Sequence, residues 1–198
     1  MTITIHLIRH GHHPLLGRTL CGRMAGVALD DEGRREAEIC ARLIDPIPTL
    51  IQSSPQQRAL QTADIIARQH ELPVEIVPAL DELDAGDWTG CSFAELDADP
   101  AWQQWNAKRA SSAPPHGESM SAVQQRMMSH VAQLCRTHGS ASIVLVSHAE
   151  PIRAAIMQVA RIALDEFASV DVAPASISTL VADSTGLKLI QANMKVPA

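Results

Sequence analysis

Ile3-Thr-Ile-His-Leu-Ile-Arg-His-Gly11 decides the fold. Ile3, Ile5 and Leu7 alternate with Thr2, Thr4 and His6, and Ile8 extends the apolar run. That pattern predicts a buried strand. Arg9 and His10 stand at its carboxyl end, and Gly11 lets the chain turn there, so both side chains can reach one pocket. A second stretch, Ser142-Ile-Val-Leu-Val-Ser147, is apolar throughout its middle and runs into His148-Ala149. A continuous apolar run suits a central strand covered on both faces. In open parallel sheets, ligands bind beyond the carboxyl ends of strands. Two strands that both end in ionisable side chains therefore mark a candidate site.

Beyond these two stretches, strands alternate with helices. Residues 12–30 lack periodicity and form a loop. Ala37, Cys40, Ala41 and Ile44 are spaced for a helix over about 31–44. A short strand at 49–52 is followed by Ser54 as N-cap, Pro55 at the first helical position and Gln57 as its capping-box partner. That helix extends to about 69, and a third strand covers 74–77. Residues 84–116 read as an irregular cap insert holding Trp88, Trp102, Trp105 and Phe93. A long helix covers about 118–137, and another starts near 151. Two last strands, 176–182 and 187–192, meet across Asp183-Ser-Thr-Gly186. The expected fold is α/β, a three-layer sandwich with a mostly parallel sheet and an antiparallel edge, in one domain spanning 1–198.

Composition narrows the function. The chain has 198 residues, 46% hydrophobic and 19% charged, which suits an ordinary globular domain. A net charge of −6 argues against a nucleic-acid partner, because phosphate backbones are gripped by clustered Lys and Arg. No run is long and apolar enough for a membrane span, and the N-terminus has no basic region before its apolar residues. The cysteines at 21, 40, 91 and 135 form no CxxC pair, so reduced thiols in a cytoplasmic protein are expected. No metal or other cofactor is expected, and the sequence leaves a homodimer open.

The chemistry rests on five residues. Arg58 falls in the first turn of the second helix, beside backbone N–H groups that favour anions. Arg9, Arg58, His10 and His148 together would make a cradle for a tetrahedral dianion. Nearby arginines keep an imidazole neutral, and neutral histidine is a nucleophile toward phosphorus. Glu82, in the loop after the third strand, can protonate a leaving alcohol.

Four ordered segments carry a resemblance. Leu7-Ile-Arg-His-Gly11, Ser53-Ser-Pro-Gln-Gln-Arg-Ala-Leu-Gln-Thr-Ala63, Glu82-Leu-Asp-Ala-Gly-Asp-Trp-Thr-Gly90 and Ser147-His-Ala-Glu-Pro-Ile-Arg153 resemble the landmarks of the histidine phosphatase superfamily, the phosphoglycerate-mutase-like fold. The resemblance covers roughly residues 3–182. It implies that His10 is phosphorylated, that Arg9 and Arg58 grip phosphate, that His148 donates to the transferring group, and that Glu82 is the general acid/base. Gly22 stands where the backbone N–H contacts substrate. Departures from the family pattern are His12, His13 and Leu16, the last in place of a phosphate-binding Asn. Only Lys108 and Arg109 occur in the insert, where mutases carry paired arginines. The resemblance thus implies a metal-independent phosphomonoesterase acting on a small phosphorylated metabolite through a phosphohistidine. A phosphoglycerate-mutase-like phosphotransferase and a non-catalytic phosphate-binding module are the alternatives.

The remaining polar residues have simpler expected roles. His12 and His13 line the entrance and screen an anionic substrate. Asp84 or Asp87 would substitute if Glu82 were merely part of a solvated acidic loop. The tryptophans form the small apolar core of the cap. Glu118 favours a helix start, Asp30-Asp31-Glu32 marks another, and Arg153 makes a buried pair.

Overall fold

The computed structural model describes residues 2–197. Six strands, β1 (Ile3–Arg9), β2 (Leu50–Ser53), β3 (Val74–Ile76), β4 (Ala141–Ser147), β5 (Ile177–Asp183) and β6 (Gly186–Met194), form one sheet. Their order is β3-β2-β4-β1-β5-β6. The first four in that order are parallel, β5 is antiparallel to β1, and β6 is antiparallel to β5. The expected mostly parallel sheet with an antiparallel edge is therefore what forms.

Alternation explains the layers. Ile3, Ile5, Leu7, Ile143 and Leu145 face α5 (Met120–Thr137) and α6 (Ala149–Ala160). Ile8, Val144, Val146 and Ile51 face the opposite way, onto α1 (Asp31–Leu43) and α2 (Gln57–His70). Burying each such aliphatic side chain contributes roughly 1.5–3 kcal/mol before chain entropy is charged. The consequence for the site is one of register. Each residue of β1 pairs with one of β4, ending at Arg9 with Ser147, and the His10 N–H donates to the Ser147 carbonyl at 3.0 Å. His10 and His148 leave the sheet side by side.

Several boundaries differ from the sequence reading. Ser54 does not cap α2. Gln56 holds the N-cap position without a side-chain bond, and the Ser54 hydroxyl, which accepts from the Gln56 N–H at 3.3 Å, also bonds His148 and Asp81. α6 begins two residues before the expected 151, because Pro151 lies within the first turn, where a missing N–H costs nothing. α5 starts at Met120 with Ser119 as its cap. The insert is more regular than expected, with α3 (Phe93–Leu96) and α4 (Pro100–Ala107) capped by Ser92 and Asp99. Its three tryptophans do pack as an apolar core, which Met120 and Val123 of α5 complete. A 3-10 turn at Leu164–Ser169, absent from the sequence reading, brings Phe167 toward this cap. Among the described residues, no helix is long and apolar enough to cross a membrane, and all four cysteines are free.

Gly11 serves proximity more than turning. It has no positive φ, but a Cβ there would strike the Gly33 carbonyl, and one on Gly33 would strike the His12 backbone. The first turn of α1 thereby lies directly on the chain leaving β1. Alanine in a helix is worth up to about 1 kcal/mol over glycine, whereas forced overpacking costs about 1–3 kcal/mol. Gly33→Ala is therefore expected to lower unfolding free energy by about 1–2 kcal/mol in urea titration. Gly139→Ala, which meets nothing within 4 Å, should stay within about 0.5 kcal/mol of the parent. Equal effects would contradict the close contact.

Candidate active site

Three chain-distant segments converge beyond the carboxyl ends of β1, β2 and β4. β1 delivers Arg9 and His10, the first turn of α2 delivers Arg58, and the end of β4 delivers His148. Arg9, His10, Arg58 and Glu82 all line one cavity of about 500 Å³. His148 is fully buried beside it, its ring centroid 5.1 Å from that of His10.

Hydrogen bonds fix each group. His10 Nδ1 lies 2.9 Å from the Gly11 carbonyl oxygen, an acceptor only, so the neutral ring carries its proton on Nδ1. Nε2 is then the lone-pair nitrogen, and Arg58 Nε donates to it at 3.3 Å. Arg58 Nη2 donates to the Gly22 carbonyl at 2.7 Å, and Arg9 Nη1 donates to the Val172 carbonyl at 2.6 Å. His148 Nε2 lies 2.7 Å from Ser54 Oγ, which in turn lies 3.2 Å from Asp81 Oδ1. Four buried nitrogens around this centre have no partner in the protein: Arg9 Nε, Arg58 Nη1, His148 Nδ1 and His13 Nδ1. Buried polar atoms are normally paired, so a cluster of unpaired ones marks a place built for a further group. Nitrogens on two guanidinium groups and two imidazoles suit an oxyanion.

Electrostatics agree. Burial, then Arg58 and Arg9, hold His10 well below the ordinary histidine range. Burial and Arg58 do the same to His148. Burial, reinforced by Glu150, pushes the Glu82 carboxyl up to about 7, against the downward pull of the Leu83 N–H, Arg58 and Arg9. A carboxyl near 7 can hold a proton at neutral pH and release it.

Glu82 is held from behind by Arg23 and Arg126, which sequence reasoning did not single out, and by Glu118, which it read only as a helix start. Arg23 Nε and Arg126 Nη2 donate to its carbonyl at 2.9 and 3.1 Å, and Glu118 binds both guanidinium groups. Arg126 sits three residues after the buried Val123, so a cation near the inward face of a helix was the available signal. Asp84 and Asp87 lie outside the cavity lining. Asp84 caps the Gly86 N–H and faces Arg23, and Asp87 pairs with His116 at the surface. His12 is likewise not at the entrance. Its ring binds Asp30 at 2.7 Å, beyond the cavity lining, because Asp30 caps α1 beside it. His13 does line the cavity, buried, with its ring centroid 5.3 Å from that of His10. Arg153 makes the expected pair, with Glu150 at 2.8 Å. Gly22 lines the cavity and adopts φ +47°, a conformation that favours glycine.

Comparison with known proteins gives the same grouping. The chain matches the histidine phosphatase superfamily (branch 1) over residues 5–195. It belongs to that superfamily. Within it, the chain is 31% identical over 187 residues to a bifunctional protein of Mycobacterium tuberculosis, covering 89% of this chain and 50% of that protein. The chain thus spans half the length of that curated relative. It is 31% identical over 169 residues to an acid phosphatase of Mycobacterium tuberculosis, covering 81% of this chain and 77% of the phosphatase. A solved structure of a mycobacterial glucosyl-3-phosphoglycerate phosphatase superposes with TM-score 0.87 at 26% identity, covering 98% of this chain and 100% of that one.

The buried histidines of this superfamily member have a cost that depends on pH. His6 and His13 are pulled to about 4, and His10 and His148 lie well below 6.5. Once unfolded, each returns to about 6.5. Below that pH the unfolded chain binds more protons, so stability falls by about 1.4 kcal/mol per pH unit for each such histidine. Glu82, raised to about 7, acts in the opposite sense as pH drops from 7 toward its unfolded value, and Glu36 does so too. Four histidines outweigh two glutamates. Unfolding free energy measured in urea is expected to fall steadily from pH 6.5 to 4.5, and His6→Gln should make the fall shallower. Stability that is flat or rising over that interval would refute the burial of neutral imidazoles.

Proposed function

We propose that this chain is a metal-independent phosphomonoesterase that works through a phosphohistidine on His10. The observation that carries the reading is the His10 ring: Nδ1 is committed to the Gly11 carbonyl, and Nε2 points among unpartnered nitrogens of Arg9, Arg58 and His148. The acid phosphatase and glucosyl-3-phosphoglycerate phosphatase relatives support it at the level of reaction class.

A phosphate monoester dianion is held by Arg9 and Arg58, whose charges oppose that of the equatorial oxygens. The Gly22 N–H adds a backbone donor. His148 donates from Nδ1 to a phosphoryl oxygen, since the bound dianion favours a proton there, while its Nε2–H is received by Ser54 and, through it, Asp81. His10 Nε2 attacks phosphorus as the ester P–O bond breaks, and protonated Glu82 delivers its proton to the departing alkoxide. Water then attacks the phosphoimidazole. Glu82, now a carboxylate, takes a proton from that water, the P–N bond breaks, and inorganic phosphate leaves with His10 restored.

His10→Ala is expected to lower kcat for p-nitrophenyl phosphate by at least about 1,000-fold, with EDTA leaving the parent rate unchanged. Near-parent activity in that variant would sink the mechanism. A monoester of a poor leaving alcohol, such as benzyl phosphate, reports on Glu82. Its kcat/KM should decline as pH rises above about 7, where Glu82 loses its proton. Glu82→Gln should be slow and lack this decline, whereas an unchanged alkaline limb would assign the acid elsewhere.

A further inference from the structure

Much of the cavity lining is apolar. Leu16, Leu20, Phe93, Trp102, Trp105 and Phe167 form its walls. A volume of about 500 Å³ exceeds what a phosphate group fills and is in the range that takes ring-sized organic ligands. One cation stands among these rings, and its geometry decides what the space accepts. The Arg109 guanidinium carbon lies 3.3 Å from the Trp105 ring centroid and 3.8 Å from that of Phe167, so aromatic rings pack against the guanidinium group. Its edges are occupied as well. Nη2 donates to Asn106 Oδ1 at 2.8 Å, and Nη1 faces Glu150 Oε2 at 3.3 Å. Nε is left without a partner, and the Nη1–Oε2 contact is an ion pair without hydrogen-bond geometry. A carboxylate is gripped by two parallel N–H groups of one guanidinium. Glu150 already stands at one edge of this one, and its other oxygen is fixed by Arg153 at 2.8 Å.

The geometry points to a substrate class: phosphomonoesters whose alcohol carries an apolar, ring-sized body and no carboxylate, with Glu150 as the residue that closes Arg109 to a second anion. This rests on the phosphomonoesterase reading above and narrows it. The aromatic walls receive the ring of the leaving alcohol, and Arg109 Nε offers a single donor to a neutral oxygen on it. A substrate carboxylate in the same place would lie beside the Glu150 carboxylate, whose charge already opposes that of Arg109.

Steady-state rates on benzyl phosphate, phosphoserine and 3-phosphoglycerate test the inference, because all three release alkyl alcohols and differ mainly in the body of the leaving group. The native chain is expected to favour benzyl phosphate by at least about 10-fold in kcat/KM, chiefly through KM. Glu150→Gln removes the negative charge that opposes a second anion beside Arg109, so the ratio of benzyl phosphate to phosphoserine should fall several-fold. Taking a ratio within one variant cancels the influence of Glu150 on Glu82. Equal or better turnover of phosphoserine by the native chain overturns the inference and leaves the phosphomonoesterase standing. An unchanged ratio in Glu150→Gln overturns the part given to Glu150. Absence of turnover on all three and on p-nitrophenyl phosphate overturns both readings.

Discussion

The parallel pairing of β1 with β4 is the constraint from which the site follows. Seven residue pairs, from Ile3 with Ala141 to Arg9 with Ser147, fix the register, and the His10 N–H bond to the Ser147 carbonyl extends it by one. Two histidines separated by most of the chain therefore emerge as lateral neighbours. A slip of one residue would move every side chain of β1 to the other face. Ile3, Ile5 and Leu7 would then leave the α5–α6 core, so burial of aliphatic side chains on both faces secures the position of the catalytic candidates. The hydrophobic pattern and the chemistry are enforced by the same ladder.

What the sheet gathers is electrostatically costly, and the surroundings offset the cost in specific ways. Arg9 and Arg58 lie in a buried setting that disfavours their charge. Each donates to a backbone carbonyl, at Val172 and Gly22, and each keeps one buried nitrogen unpaired. Glu82 lies nearby, with a carboxyl pushed toward neutrality. The second histidine is oriented by Ser54 and Asp81, so a residue that looks like a helix cap in sequence also serves the site. Behind Glu82, Glu118 draws Arg23 and Arg126 together onto one carbonyl. Charge in this region is distributed so that a dianion would satisfy it.

Much of this was legible in sequence because it rests on local pattern. Alternation in Ile3–Leu7 and the apolar run at 142–147 expose the sheet, and the ends of those strands expose His10, Arg9 and His148. Arg58 in the first turn of a helix and Glu82 in the loop after the third strand stand within segments that resemble the superfamily's landmarks. The rest depends on contacts between distant segments, to which periodicity is blind. The carboxylate that holds His12 is Asp30, which reads locally as a helix start. Ser54 satisfies every local rule for an N-cap, yet its hydroxyl is shared between the Gln56 N–H and a tertiary bond to His148. Arg109 looks like one of two scattered cations in an irregular insert, and only packing reveals the rings on either side of it. The capped helices of that insert did carry signals, since Asp99-Pro100 precedes tryptophans three residues apart, but four-residue and eight-residue helices are too short for periodicity to register.

Catalysis through His10 requires that its Nε2 bond covalently to phosphorus during turnover. Denaturing the protein in alkali within a turnover of substrate would preserve a phosphoimidazole, and phosphorus NMR with peptide mapping would locate it. A base-stable, acid-labile phosphate on the Nε2 nitrogen of His10 is expected. A phosphate on His148, on a serine, or on no residue of the protein would contradict it.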